Sequence, residues 1–173
     1  MRRKDDILHP GEIEAQRRFG VEHAWSDAAL SRMIKTALDP TFTAFIDTQQ
    51  FFFIATADAE GNCDCSFRGS EKDADGTYLK ALKVLDEKRL VFPDFKGNSL
   101  YNSLGNIVVN PHIGMLFIDF QRQQRVRLNG RAKIIEDQRR YSDIWPMALR
   151  YVLVTVEQVY ANCPDRIPNL VRS

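Results

Sequence analysis

The sequence contains no apolar run long enough to span a bilayer, which excludes a membrane-spanning helix. It is poor in cysteine, with three residues, of which only Cys63 and Cys65 lie close together. That usage excludes a disulfide framework. Three histidines, His9, His23 and His112, are scattered along the chain. A zinc site takes about four ligands at short spacings, so Cys63-x-Cys65 reads as a pair of buried core thiols. An excess of charge of one sign is also missing: 24 basic residues face 23 acidic ones, a formal net charge of +1. Such a balance gives no broad attraction to nucleic acid or to a membrane surface. There is no Gly-rich P-loop, no Ser/His/Asp constellation and no acid pair, so hydrolysis has no support. The first residues, MRRKDDILHPGE, are basic but have no apolar segment behind them. This is unlike a secretory signal, and a reducing cytoplasm is the expected compartment.

What remains is a chain of 173 residues, a length that suits one domain with a real core. Residues 1–48 read as an N-terminal arm and helices, and residues 49–173 as the sheet domain. In the first part, Glu12 to Phe19 suits one or two helical turns. Ser26 to Leu38 has an apolar stripe behind a capping serine, and Phe42 to Asp47 suits a short helix. The sheet opens with Phe51 to Ala57, FFFIATA, a continuous apolar run typical of a strand covered on both faces. A short Gly-containing turn leads to Cys63–Arg68, which alternates: Cys63, Cys65 and Phe67 on one face, Asp64, Ser66 and Arg68 on the other. Tyr78 to Asp86, Leu90 to Phe92, Ile113 to Ile118, Arg125 to Ile135 and Val152 to Tyr160 read as further strands. Gln138 to Ala148 reads as a helix up to Pro146, and Ala161 to Ser173 as a tail. Strands joined mostly by short turns predict an antiparallel barrel decorated with helices. A doubly wound α/β fold, with a helix after nearly every strand, does not fit.

The chain is organised around Arg89 to Pro111, RLVFPDFKGNSLYNSLGNIVVNP. Pro93 is expected to end the apolar strand. Asn98 is placed to cap a helix running to about Val109, with Pro111 as its stop. The apolar side of this helix is Leu100, Tyr101, Leu104, Ile107 and Val108. Its other side carries Asn98, Ser99, Asn102, Ser103 and Asn106, where a solvated face normally carries Lys and Glu. Short amides and hydroxyls at a helix N-terminus, with Lys96 just before it, suit an oxygen-rich anion. The plainer reading is a capped helix with an incidental polar surface. Arg68, at a strand end, and the row Arg125, Arg127 and Arg131 are either solvated or turned toward the same anion with bidentate geometry.

Three segments in this order, FFFIATADAEGNCDCSFRG, LVFPDFKGNSLYNSLGNIVVNPHIGMLFID and VRLNGRAKI, resemble the pyridoxamine 5′-phosphate oxidase-like FMN-binding split-barrel family. HPGEIEAQRRFGV is similar to the N-terminal arm of one branch. The resemblance implies a six-stranded antiparallel split β-barrel with peripheral helices, and a homodimer with two FMN sites at the subunit interface. It places the cofactor phosphate at Arg68, Lys96, Asn98, Asn102 and Ser103. It places the ring system near Ser66, Phe67, Arg68 and Gly69 and beside Pro93 and Asp94, with Arg127 near the ring or ribityl chain. Departures are visible as well. The loop after Gly69 is SEKDADGTY, the expected basic pair at the helix start is Asn98-Ser99, and CPDRIPNLVRS has no clear counterpart to the oxidase's substrate segment. The resemblance therefore implies a flavin-dependent oxidoreductase acting on a small molecule other than pyridoxamine phosphate, with NAD(P)H as a candidate partner and without nucleic acid or membrane. Relatives that use a deazaflavin or bind haem, and a flavin-storing or flavin-sensing protein without turnover, are the alternatives.

Overall fold

The computed structural model describes residues 2–170; Met1 and the last three residues of the C-terminal tail lie outside them. The described residues form two compact units, one up to Lys35 and one from Thr36 onward. The first holds α1 (Lys4–Ile7), α2 (Pro10–Arg18) and α3 (Asp27–Met33). α2 begins at Pro10, where a missing N–H costs nothing. His9 caps it, Nδ1 accepting from Gly11 N at 3.1 Å, while Glu12 accepts from His9 N at 2.9 Å. Ser26 caps α3 through Ala29 N. α3 stops at Met33 instead of Leu38.

Near the start of the second unit, the Leu38 N–H donates to Glu87 O at 2.7 Å and so is taken from any helix. α4 (Pro40–Asp47) follows, capped by Asp39 Oδ1. Seven strands and one helix complete the unit: β1 (Phe51–Ala57), β2 (Cys63–Gly69), β3 (Lys83–Asp86), β4 (Arg89–Asp94), α5 (Asn102–Val109), β5 (His112–Asp119), β6 (Gln124–Ile135) and β7 (Arg150–Ala161). They form one antiparallel sheet in the order β2-β1-β5-β6-β7-β4-β3.

This corrects the expected barrel in two ways. There are seven strands instead of the six that the resemblance implies: the segment Tyr78 to Asp86, read as a strand, forms the short β3, which pairs on the outer side of β4. The barrel is also not closed, since β2 and β3 are the two ends of the sheet and do not pair with each other. Three local expectations fall too. Pro93 does not end β4; it pairs opposite Tyr151 of β7. Pairing with β3 stops at Lys83↔Val91, so at Pro93 the strand has one neighbour and the missing donor is tolerated. Gln138–Ala148 is a chain of turns instead of a helix. It carries Trp145, fully buried with Tyr151, Val91 and Ala148 in a second apolar cluster, and the Trp145 indole N–H donates to Lys80 O. Cys63 and Cys65 are exposed instead of buried, because β2 is an edge strand and nothing covers its outward face within the described residues.

The main core lies on the inward face, with Phe52 and Ile54 of β1, Phe92 of β4, Met115 and Phe117 of β5, and Leu128 of β6. β6 alternates as its sequence predicts, Val126, Leu128, Gly130 and Ala132 being buried and Arg125, Arg127, Asn129 and Arg131 turned outward. At Gly130 the register with β7 shifts. A Cβ built there would lie 2.1 Å from Thr155 O.

Candidate functional site

The period of two in β2 sends Asp64, Ser66 and Arg68 inward, opposite Thr56, Ile54 and Phe52 of β1. β4, buried from Leu90 onward, delivers Asp94 to the same end of the sheet. Between β4 and α5 the chain crosses as a loop held by local bonds. Asn98 Oδ1 accepts from Leu100 N at 3.1 Å, an Asx turn that competes with helix. Ser99 and Tyr101 then take φ of 64° and 55°, left-handed backbone that side chains rarely adopt. Asn98 therefore caps a turn, and α5, capped at Tyr101, begins three residues later than its spacing predicts. Arg150, at the start of β7, holds Tyr101: its guanidinium lies 5.1 Å from the ring centre and its Nη2 3.5 Å from the hydroxyl.

These elements enclose a cavity of about 300 Å³. Of the residues expected at a site, Ser66, Arg68 and Asp94 line it from the strands, and Lys96, Asn98, Asn102 and Ser103 from the loop and helix. Phe67, Gly69, Pro93 and Arg127 do not line it. Phe67 and Arg127 stand on the outward face, in a row Phe67–Phe53–Leu116–Arg127–Tyr160 across β2, β1, β5, β6 and β7. Phe67, 62% exposed, stacks on Phe51 at 5.5 Å and meets Phe53 edge-on. Its ring also covers Gly69.

Two polar groups shape the cavity. Asp94, 7% exposed, lies between two arginines, with Arg68 Nη1 3.6 Å from one carboxylate oxygen and Arg150 Nε 3.4 Å from the other. Burial pushes its carboxyl above the ordinary value, against the opposing pull of Arg68 and then Arg150. Arg68 Nε is buried without a hydrogen-bond partner among the described residues. An oxygen-rich ligand in the cavity would supply one, and in that respect the donor set fits a phosphate. The second group is a hydroxyl pair: Ser103 Oγ lies 3.0 Å from Asp64 Oδ2 and 3.1 Å from Ser66 Oγ. Part of the polar side of α5 thus serves its own chain. Asn106 does so as well, its amide donating to Thr56 Oγ1 at 3.1 Å.

Asn102 differs. It is exposed at the first helical position of α5 and lines the cavity. Asn102→Ala should leave the apoprotein as stable or a few tenths of a kcal/mol more so, alanine being the better helix former. Binding of an anionic ligand in the cavity should weaken by about 0.5–1.5 kcal/mol. Thermal melts of both proteins with and without excess FMN check this; a large fall in the apoprotein melting point, with the FMN-induced gain unchanged, would show that Asn102 serves the fold.

Reading the sequence alone misses Asp64, Tyr101 and Arg150. The alternation in β2 already puts Asp64 beside Ser66 and Arg68, so its signal was present. Arg150 meets Asp94 through the β4–β7 register, which no local spacing encodes. Among the described residues no group of His, Cys, Asp and Glu could hold a metal ion, and no helix is long and apolar enough to cross a membrane.

No curated protein matches the chain. Solved structures do. The chain is 17% identical to HupZ of Group A Streptococcus, with a TM-score of 0.56, covering 78% of this chain and 99% of that one. For a candidate pyridoxamine 5′-phosphate oxidase of Lactobacillus delbrueckii the values are 19%, 0.57, 73% and 95%. For a protein of Clostridium acetobutylicum related to general stress protein 26, of the pyridoxinephosphate oxidase family, they are 13%, 0.51, 77% and 94%. At these identities the likeness is one of fold. The family model described as Pyridoxamine 5′-phosphate oxidase matches residues 38–163, which span the sheet, the strand–loop–helix element and the cavity, and the chain therefore belongs to the pyridoxamine 5′-phosphate oxidase family.

Proposed function

We propose that the chain is a flavin-binding oxidoreductase, with FMN as its cofactor and the FMN phosphate in the cavity beneath the start of α5. The observation that carries this reading is the buried, unpartnered Arg68 Nε in a cavity also lined by Lys96 and Asn102. Arg68 would meet the phosphate with its guanidinium fork, Lys96 with a point charge, and Asn102 with its amide. A flavin supplies the redox chemistry, and the protein supplies orientation, electrostatics and access. The substrate is a small molecule of unidentified class, with NAD(P)H as candidate reductant.

The same reading includes a homodimer. Phe51, Phe53, Phe67 and Leu116 form an apolar outward face on the sheet, and Phe120 stacks on Phe51 at 6.3 Å. An apolar patch of this kind favours a second copy as cover. Phe67 and Arg127 belong to that face, so a partner would bring them to a shared ring site. Sedimentation equilibrium at low micromolar concentration should give twice the chain mass; a monomer would remove the shared site.

The function is tested on purified protein. Its absorbance spectrum should show bound flavin, and mass spectrometry of what denaturation releases should give FMN. Apoprotein should bind FMN more tightly than riboflavin; equal binding would remove the phosphate from this cavity. Bleaching by NADPH or NADH and recolouring by air would establish turnover. A flavin that neither reagent bleaches would favour a storage or sensing role.

A further inference from the structure

The cavity holds a carboxylate where a phosphate site has little use for one. Asp64 faces the same space as Arg68, Lys96 and Ser103. Its Oδ2 lies 3.0 Å from Ser103 Oγ, which in turn lies 3.1 Å from Ser66 Oγ. A hydroxyl has one proton to give. The carboxylate can only accept, so the Ser103 proton goes to Asp64, and the Ser66 proton is then the one available to Ser103. The Ser103 proton is thus held by Asp64, and when Ser66 gives its own proton to Ser103 neither hydroxyl has one left for a ligand. A phosphate entering here meets lone pairs and a negative charge at Asp64, Ser66 and Ser103, and cations at Arg68 and Lys96.

The charged and titratable groups around it are few. β2 brings Asp64 and Arg68, β4 brings Asp94, and the loop brings Lys96 and Tyr101. β7 brings Arg150, which lies against Asp94. The first turn of α5 carries no acidic residue. Three cations therefore face two carboxylates, and the surplus matches one negative charge, not two.

We propose that Asp64 is the specificity-determining residue of this cavity, accepting a hydrogen bond from a phosphate that still carries a proton and disfavouring one that is fully ionised. The proposal rests on the flavin-phosphate reading and refines it. A phosphate monoester loses its second proton at about pH 6. Its monoanion offers Asp64 a P–O–H donor, whereas its dianion brings a second charge and no donor. Sulfate, fully ionised throughout the neutral range, has no proton to offer and should be rejected.

The experiment is a set of titrations of full-length apoprotein with FMN and riboflavin at about pH 5.5 and about pH 8, in the wild type and in Asp64→Asn. Asparagine keeps an oxygen that can accept from Ser103 and removes the charge. Wild-type protein should bind FMN about tenfold more weakly at the higher pH, the scale of one like charge several ångströms away in a partly solvated site, while riboflavin binding should not change. Asp64→Asn should abolish that dependence. In the wild type, inorganic phosphate but not sulfate should displace FMN at the lower pH, a measurement that needs no variant; in Asp64→Asn, sulfate should compete as well. A pH dependence that survives in Asp64→Asn would assign the effect to Asp94 and overturn the proposal, as would displacement of FMN from the wild type by sulfate as readily as by phosphate. If FMN and riboflavin bind alike under every condition, the flavin-phosphate reading itself falls, and this one with it.

Discussion

Gly130→Ala should destabilise the sheet-bearing unit by about 3 kcal/mol, near the upper end of what overpacking costs. The added Cβ would lie 2.1 Å from the carbonyl oxygen of Thr155 and 3.1 Å from its carbon. Both are backbone atoms, so no side-chain rotation relieves the contact. Relief requires β6 and β7 to separate where their register already shifts, in the middle of a sheet whose two sides depend on that pairing. The melting point should fall by about 10 °C. Gly105→Ala is the matching control. Nothing lies within 4 Å of its built Cβ, and inside α5 alanine should add up to about 1 kcal/mol. Equal stability of the two variants by urea unfolding would show that the close approach at Gly130 does not govern the sheet.

Arg68→Ala should weaken flavin-phosphate binding by about 1.5–3 kcal/mol, the scale of charge-assisted hydrogen bonds, or roughly ten- to a hundredfold in Kd. Riboflavin, which has no phosphate, should lose much less. The apoprotein should change as well, through Asp94. Burial holds that carboxyl above its ordinary value, and Arg68 is the stronger of the two charges that oppose the rise. Without Arg68 the carboxyl rises further. A group raised in the folded state contributes stability below its unfolded value and loses it as pH climbs through the folded value. The stability difference between wild type and Arg68→Ala should therefore be smallest in acid and widen as pH rises. Paired denaturant titrations at several pH values would reveal this, and a difference independent of pH would mean that Asp94 does not respond to Arg68.

The sheet was largely legible because its strands obey local rules. β1, β2, β5, β6 and β7 lie within two residues of their expected ends, and the inward set of β6 follows from alternation alone. Where the reading failed, the deciding interaction was distant or was a turn. α5 starts late because the Asn98 side chain closes a turn and two residues take left-handed backbone, neither of which a period of 3.6 reveals. Two of the five residues on its polar side proved to be committed to distant strands, since Ser103 and Asn106 find partners 37–50 residues away in sequence. The apolar run of β1 suggested cover on both faces. The chain covers the face of Phe52 and Ile54 and leaves Phe51 and Phe53 half-buried. That difference is one a second copy would make good.

The chain's two tryptophans report on different parts of the molecule. Trp25 lies in the unit up to Lys35 and is 41% exposed, whereas Trp145 lies in the unit from Thr36 onward and is 0% exposed. Fluorescence is thus a sum of a solvated indole and a shielded one, each tied to its own unit. A melt followed by total emission sums the two signals, so two midpoints, one for each unit, would merge into a shallow curve that resembles weak cooperativity. Trp25→Phe leaves the shielded indole alone. Its red shift on heating would then time the opening of the cluster around Tyr151, and the difference from the parent trace would time the N-terminal helices.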